Sequence, residues 1–104
     1  MTSKTLTLAF DVNSIVAAET ALGAKIADII AELRSETGAS LRTLRALVAA
    51  SQIDKHMARY VSLPIREGEY RKATEIIERH GTGATTEAVG LALAAFLVTM
   101  QKAT

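Results

Sequence analysis

Apolar and polar residues alternate near the beginning of the chain. In the stretch KTLTLAF, residues 4–10, Leu6, Leu8 and Phe10 are separated by single polar or small residues. Because successive side chains of a strand point to opposite faces, this period of two predicts a short, half-buried β-strand that packs over the first two helices. No second strand pattern follows, so this strand is expected to pair with another copy of the chain or with a partner protein.

Helical spacing begins directly after this strand. Asn13 is predicted to cap a first helix over residues 14–22, and Gly23 suits the left-handed conformation that ends many helices. A second helix is predicted over residues 24–35, since four of its apolar residues follow the spacing of a single helix face. They are Ile26, Ile29, Ile30 and Leu33.

A third helix is predicted to begin after Ser40, which suits its cap position. One side of such a helix carries Leu41, Leu44 and Val48. The next apolar residues share a face that lies nearly opposite, namely Ile53, Met57, Tyr60 and Val61. A straight helix would therefore be apolar on two sides, so the pattern predicts a break near Ser51 and Gln52.

A charged helix is predicted over residues 66–81, after Pro64. Its narrow apolar stripe consists of Tyr70, Ala73 and Ile77. Glu67 and Arg71 are four residues apart, in the order that favours an ion pair on a helix. Gly81 and Gly83 are expected to end this helix.

A last helix is predicted over residues 85–102, and it is apolar on nearly all faces between residues 88 and 98. This run of 11 residues is shorter than the about 20 residues that span a bilayer. We therefore expect no membrane partner. The helix is expected to be either the buried central helix of the domain or one half of an interface.

These patterns together predict a mainly α fold, namely a small helical domain of about five helices with a short N-terminal β-strand. The length of 104 residues favours a single domain over residues 1–104. Hydrophobic residues make up 49% of the chain, but aromatic residues only 4%, and tryptophan is absent. The core is therefore expected to consist of leucine, isoleucine, valine and alanine.

The charge and the cysteine content of the chain limit the kinds of function that it can have. The 12 basic and 11 acidic residues leave a net charge of +1, whereas a nucleic-acid-binding protein usually has a clear basic excess. The absence of cysteine excludes disulfides and thiolate metal sites. The N-terminal residues lack an apolar run of signal-peptide length, and we expect a cytoplasmic protein.

Residues with catalytic chemistry are scattered along the chain. His56 and His80 are 24 positions apart, and a metal or acid–base role would need partners that converge on them in space. The stretch HGTGATTE lacks the lysine of a phosphate-binding loop and the third glycine of a dinucleotide turn. We therefore expect no catalytic, cofactor-binding or metal-binding residue, and no enzymatic activity.

The basic residues form two small groups. Arg42 and Arg45 belong to the third helix, and Lys55 and Arg59 follow it. No aromatic residues interleave with them for stacking on bases. We interpret both groups as solvated helix faces, with contact to an acidic partner as the alternative.

The segments LTLAF, DVNSIVAAETALG and SLRTLRALVAAS resemble the small tail-assembly proteins of siphophages and gene transfer agents, a family of phage tail assembly chaperones. The resemblance covers about residues 5–51 and 84–98. It rests on a strand and Asn-containing turn, a helix with a glutamate that ends at a glycine, a Ser-Leu-x-x-Leu-Arg helix, and a late Thr-x-Glu helix start. The matching residues are Glu19, Gly23, Ser40, Leu41, Leu44, Arg45, Thr85, Glu87 and Gly90. Residues 52–81 match no part of the family pattern, and its aromatic residue near the end of the third helix is absent.

The resemblance implies a non-enzymatic role in building a phage-type tail in the host cytoplasm. Proteins of this family are thought to keep the tape-measure protein soluble and to help tail-tube subunits polymerise around it. The residues expected to bind such partners are Leu6, Leu8, Phe10, Arg42 and Arg45. Two alternatives are a small helical nucleic-acid-binding regulator, favoured if the two basic groups converge, and a structural tail component that forms homo-oligomers.

Overall fold

Four α-helices make up most of the chain in a computed structural model that describes residues 6–53 and 64–102. They are α1 (Val12–Leu22), α2 (Ile26–Arg34), α3 (Leu41–Ser51) and α4 (Glu67–Lys102). The fold is mainly α, but the expected number of about five helices is wrong. The predicted charged helix and the predicted last helix form one element, α4. The predicted apolar face with Met57, Tyr60 and Val61 lies outside the described residues.

The predicted N-terminal β-strand is also wrong, since residues 6–53 and 64–102 contain no strand. The alternation of apolar residues is nevertheless visible in burial: Leu6, Leu8 and Phe10 are half-buried, whereas the residues between them are exposed. Leu8 and Phe10 pack against the helical core and line a cleft with residues of α4 such as Phe96. A period of two thus requires only one buried face and no β-ladder, and the expected pairing with another chain loses its basis.

The first helix is capped by Asp11 rather than by the predicted Asn13. The Asp11 carboxylate accepts a hydrogen bond from the Ser14 backbone N–H at 2.8 Å, and the Ser14 hydroxyl oxygen accepts one from the Asp11 backbone N–H at 2.8 Å. This reciprocal pair satisfies two backbone donors and begins α1 two residues earlier than predicted. Gly23 ends α1 in the left-handed conformation, with φ 62°, as predicted.

Carboxylates connect α1 to α2 and α2 to α3. Lys25 precedes α2 and has no side-chain capping bond, but the Glu19 carboxylate of α1 accepts from the Ile26 N–H at 2.7 Å. Glu32 of α2 similarly accepts from the Ser40 N–H at 2.8 Å and from the Thr43 hydroxyl at 3.2 Å. Each carboxylate compensates the unpaired donors at the following helix's N-terminus.

The central helix of the fold is α3, which packs against both α1 and α4. The Ser40 hydroxyl caps α3 by accepting a hydrogen bond from the Thr43 N–H at 3.2 Å. The helix ends at Ser51, where the change of apolar face in the sequence predicted a break. Residues on several of its sides are buried: Thr43, Leu44, Ala46, Leu47, Val48, Ala49 and Ala50. Small alanine side chains allow neighbouring helices to approach α3 closely, so it, rather than the last helix, occupies the middle of the core.

A backbone break at Gly81 divides α4 into two segments, residues 67–80 and 82–102. Gly81 has φ 83° and ψ 162°, a combination that is open essentially to glycine alone. The predicted end of the charged helix therefore lies where expected, but no loop follows it. The buried Thr85 hydroxyl donates to the Gly81 carbonyl at 2.7 Å and ties the two segments together.

The first segment of α4 presents the predicted apolar stripe to the core. Ala73 is fully buried, and Tyr70 and Ile77 are partly buried against the same core cluster. On the outer side, the Arg71 guanidinium lies 3.4 Å from the Glu67 carboxylate. Both of these side chains are exposed, so this ion pair contributes at most a few tenths of a kcal/mol.

Candidate functional site

A cleft between the beginning of α3 and the first segment of α4 combines apolar and positively charged side chains. It has a volume of about 350 Å³ and is lined by Leu41, Arg42, Arg45, Thr74, Ile77 and Glu78. Leu41 lies in the first turn of α3 and is 61% exposed. We call this surface the α3–α4 cleft.

Arg45 is held in the α3–α4 cleft by an aromatic ring of α4. Its guanidinium carbon lies 5.2 Å from the centroid of the Tyr70 ring. Such a cation–π contact contributes about 0.5–1 kcal/mol at an exposed site. The contact favours a position of the Arg45 charge beside the apolar part of the cleft.

The charges of the α3–α4 cleft are largely positive. Within the cleft, Arg42 and Arg45 share the lining with one carboxylate, Glu78, and Arg42 also lines a neighbouring cavity with Asp28 and Glu32. Within the described ranges no ion pair joins these carboxylates to either arginine. Both guanidinium groups therefore remain available to an incoming anion. A cleft of this composition suits an apolar side chain that has a carboxylate near it on the same helix face.

The second segment of α4 forms a second surface, which is apolar and exposed. Its inner side contributes Ala88, Val89, Ala92 and Leu93 to the core. Its outer side exposes 66% of Leu91 and 49% of Val98, and no charged residue occurs between residues 88 and 101. Of the two expectations for the last helix, a fully buried central helix is therefore wrong, and half of an interface stays a prediction.

By length and composition alone, α4 is long and apolar enough to cross a membrane. The sequence predicted a helix too short to span a bilayer, because only the apolar run of residues 88–98 was considered. Small and hydroxyl-bearing residues extend the apolar part of the helix in both directions. In that apolar window, 28% of the residues are buried. Most residues of this window are therefore exposed to solvent unless another molecule covers them.

The structure places the five expected partner-binding residues at two different locations. Arg42 and Arg45 come together at the α3–α4 cleft, whereas Leu6, Leu8 and Phe10 are half-buried at the N-terminal side of the core. Lys55 and Arg59 lie outside the described residues, as does His56. Sequence reasoning missed the exposure of Leu41, because its spacing from Leu44 and Val48 assigns it to the buried face.

No group of three or more histidine, aspartate or glutamate side chains within residues 6–53 and 64–102 is arranged to hold a metal ion. His80 is half-buried and lies at the end of the first segment of α4. The Ser40 N–H and the Thr43 hydroxyl lower the pKa of Glu32 by donating hydrogen bonds to its carboxylate, which is a structural role between α2 and α3.

Comparisons with protein-family models, curated proteins and solved structures give no match to this chain. Its function is therefore inferred from its own residues.

Proposed function

We propose that this chain is a non-enzymatic phage-type tail assembly protein, a chaperone that binds the tape-measure protein or tail-tube subunits in the host cytoplasm. The observation that supports binding is the α3–α4 cleft, where the exposed Leu41 lies beside Arg42 and Arg45. The resemblance of residues 5–51 and 84–98 to tail assembly chaperones supports the choice of partners. No cofactor takes part in this function.

The proposed binding mode is an amphipathic helix of the partner laid into the α3–α4 cleft. An apolar residue of that helix packs on Leu41 and Ile77, and an acidic residue one turn away pairs with Arg42. Burial of one leucine-sized side chain contributes about 1.5–3 kcal/mol. The charges select the partner and its orientation more than they add affinity.

A structural tail component built from several copies is the second candidate. The exposed apolar outer side of the second segment of α4 favours it, because such a surface is typical of protein interfaces. A nucleic-acid-binding regulator has less support. The net charge is +1, and Glu78 lies in the cleft with the two arginines.

Co-purification with the candidate partners tests the proposal. The tagged chain is co-expressed with the tape-measure protein, and separately with the tail-tube subunit, from the same source genome. We expect one of them to be soluble and retained with the wild-type chain. Leu41→Glu and Arg42→Glu should reduce retention at least about tenfold, which corresponds to about 1.4 kcal/mol.

Leu91→Glu provides the matched control, since Leu91 is a comparably exposed leucine on a different surface. It should retain the partner as the wild-type chain does. Equal retention by Leu41→Glu and the wild-type chain would contradict binding in the α3–α4 cleft. Failure of both candidate partners to co-purify would contradict the proposed function itself.

A further inference from the structure

The outer side of the second segment of α4 carries an apolar ridge that is complementary to itself. We define the ridge by its four exposed members, Leu91, Ala94, Ala95 and Val98. They follow a spacing of three, one and three residues, which places them along one side of the helix. The side chains follow the order large, small, small, large, and this order is the same in both directions along the helix.

We propose that two copies of the chain pair through this ridge, with their α4 helices antiparallel and a twofold axis between Ala94 and Ala95. In this register Leu91 of each copy packs on Val98 of the other, and Ala94 of each copy lies against Ala95 of the other. The two alanines allow the helix axes to approach to about 8 Å, the short end of the usual range. The larger residues on both sides then interlock.

Charge at the ends of the ridge supports a second copy as the occupant. Glu87 is exposed one turn before Leu91. The same register places Glu87 across from position 102 of the other copy, which is a lysine in the sequence. Opposite charges at both ends favour the antiparallel register, whereas a parallel pair would bring the two Glu87 carboxylates together.

The size of the surface predicts a weak, reversible dimer. The uncharged stretch covers the 14 residues from 88 to 101, which corresponds to a length of about 20 Å. One helix face of that length is smaller than the about 800 Å² per partner that a standard interface buries. The dimer is therefore expected to form in a concentration-dependent way.

Sedimentation velocity over a wide concentration range tests the pairing. The wild-type chain should shift from monomer to dimer as its concentration rises, and Leu91→Glu and Val98→Glu should remain monomeric to at least tenfold higher concentration. Both residues are exposed, so the variants should keep their helical circular dichroism. Leu41→Glu, on the other surface, should dimerise as the wild-type chain does. A wild-type chain that remains monomeric throughout, or unchanged dimerisation of Leu91→Glu, would overturn the proposal.

Cysteine cross-linking tests the register, since the chain has no cysteine of its own. A mixture of Leu91→Cys and Val98→Cys chains should form a disulfide-linked heterodimer on mild oxidation. Leu91→Cys alone should not, because the two copies of position 91 lie about 10 Å apart along the axis, beyond the about 7 Å limit of a disulfide. Cross-linking of Leu91→Cys with itself as efficiently as in the mixture would overturn the antiparallel register.

Failure of this pairing is distinguishable from failure of the proposed function. Leu91→Glu tests the ridge and Leu41→Glu tests the α3–α4 cleft, and each variant is the control for the other. If the ridge instead inserted into lipid, the wild-type chain would co-sediment with phosphatidylcholine vesicles and remain monomeric without them. That result would overturn the self-pairing. It would not affect the proposed function, which co-purification with tail proteins tests separately.

Discussion

The carboxylate of Glu19 accepts a hydrogen bond at 2.7 Å from the backbone N–H of Ile26, seven residues further along the chain. A side chain of α1 therefore caps α2, whose own preceding residue, Lys25, provides no side-chain cap. Gly23 makes this contact feasible by turning the chain sharply at φ 62°. The contact links α1 to the first residue of α2.

Replacing Glu19 with alanine should destabilise the fold by about 1–2 kcal/mol, since it removes a charge-assisted capping bond. Glu19→Gln should cost less, because its amide oxygen can still accept from Ile26. Thr20→Ala changes an exposed neighbour on the same helix and should stay within about 0.5 kcal/mol of the wild-type chain. Urea denaturation measures all three, and equal stabilities of Glu19→Ala and Thr20→Ala would contradict the capping role.

Glu32 should make the stability of the fold depend on pH in acid. Its pKa lies below the ordinary value of 4.5, because the Ser40 N–H and the Thr43 hydroxyl donate to the ionised form. A lowered folded-state pKa contributes stability that is present above the ordinary value and is lost as the pH falls through the folded-state pKa.

Denaturation midpoints measured from about pH 6 to about pH 3 check this dependence. The wild-type chain should lose stability below the ordinary pKa, and Glu32→Gln should lose less over the same interval. Glu36→Gln, in the exposed turn after α2, serves as the control and should follow the wild-type curve. A Glu32→Gln curve parallel to that of the wild-type chain would exclude this role of Glu32.

The sequence predicted those elements whose signals are local. Gly23, Ser40 and the end of α3 at Ser51 lie where capping chemistry and apolar phase put them. Asp11 and Asn13 are both good capping residues, and the choice between them depends on the Ser14 side chain, which returns a hydrogen bond to Asp11.

The sequence could not distinguish burial of Leu8 and Phe10 against helices from burial in a sheet. An alternating pattern indicates that one side of the segment is buried, but it does not indicate which element covers that side. The exposure of Leu41 and of Leu91 depends on which helix becomes central. That is a property of the assembled core, where the alanines of α3 allow close packing on several sides. The cleft and the ridge therefore became visible only in three dimensions.

The break at Gly81 should make two neighbouring glycines respond in opposite directions. Gly81→Ala should destabilise the fold by about 1–3 kcal/mol, because φ 83° and ψ 162° strain any residue with a Cβ atom. Gly83 lies in the helical part of α4, and a Cβ added there meets no atom within 4 Å. Gly83→Ala should therefore stabilise the fold by about 0.4–1 kcal/mol. Thermal denaturation compares them, and a stabilising Gly81→Ala would contradict the break.

The proposed function requires a tail protein to bind in the α3–α4 cleft. Hydrogen exchange of the chain's amides, measured at low concentration with and without the tape-measure protein, tests it most directly. We expect slower exchange in residues 41–45 and 74–78 on binding, with residues 91–98 unchanged. Slower exchange confined to residues 91–98, with residues 41–45 unaffected, would contradict binding in this cleft.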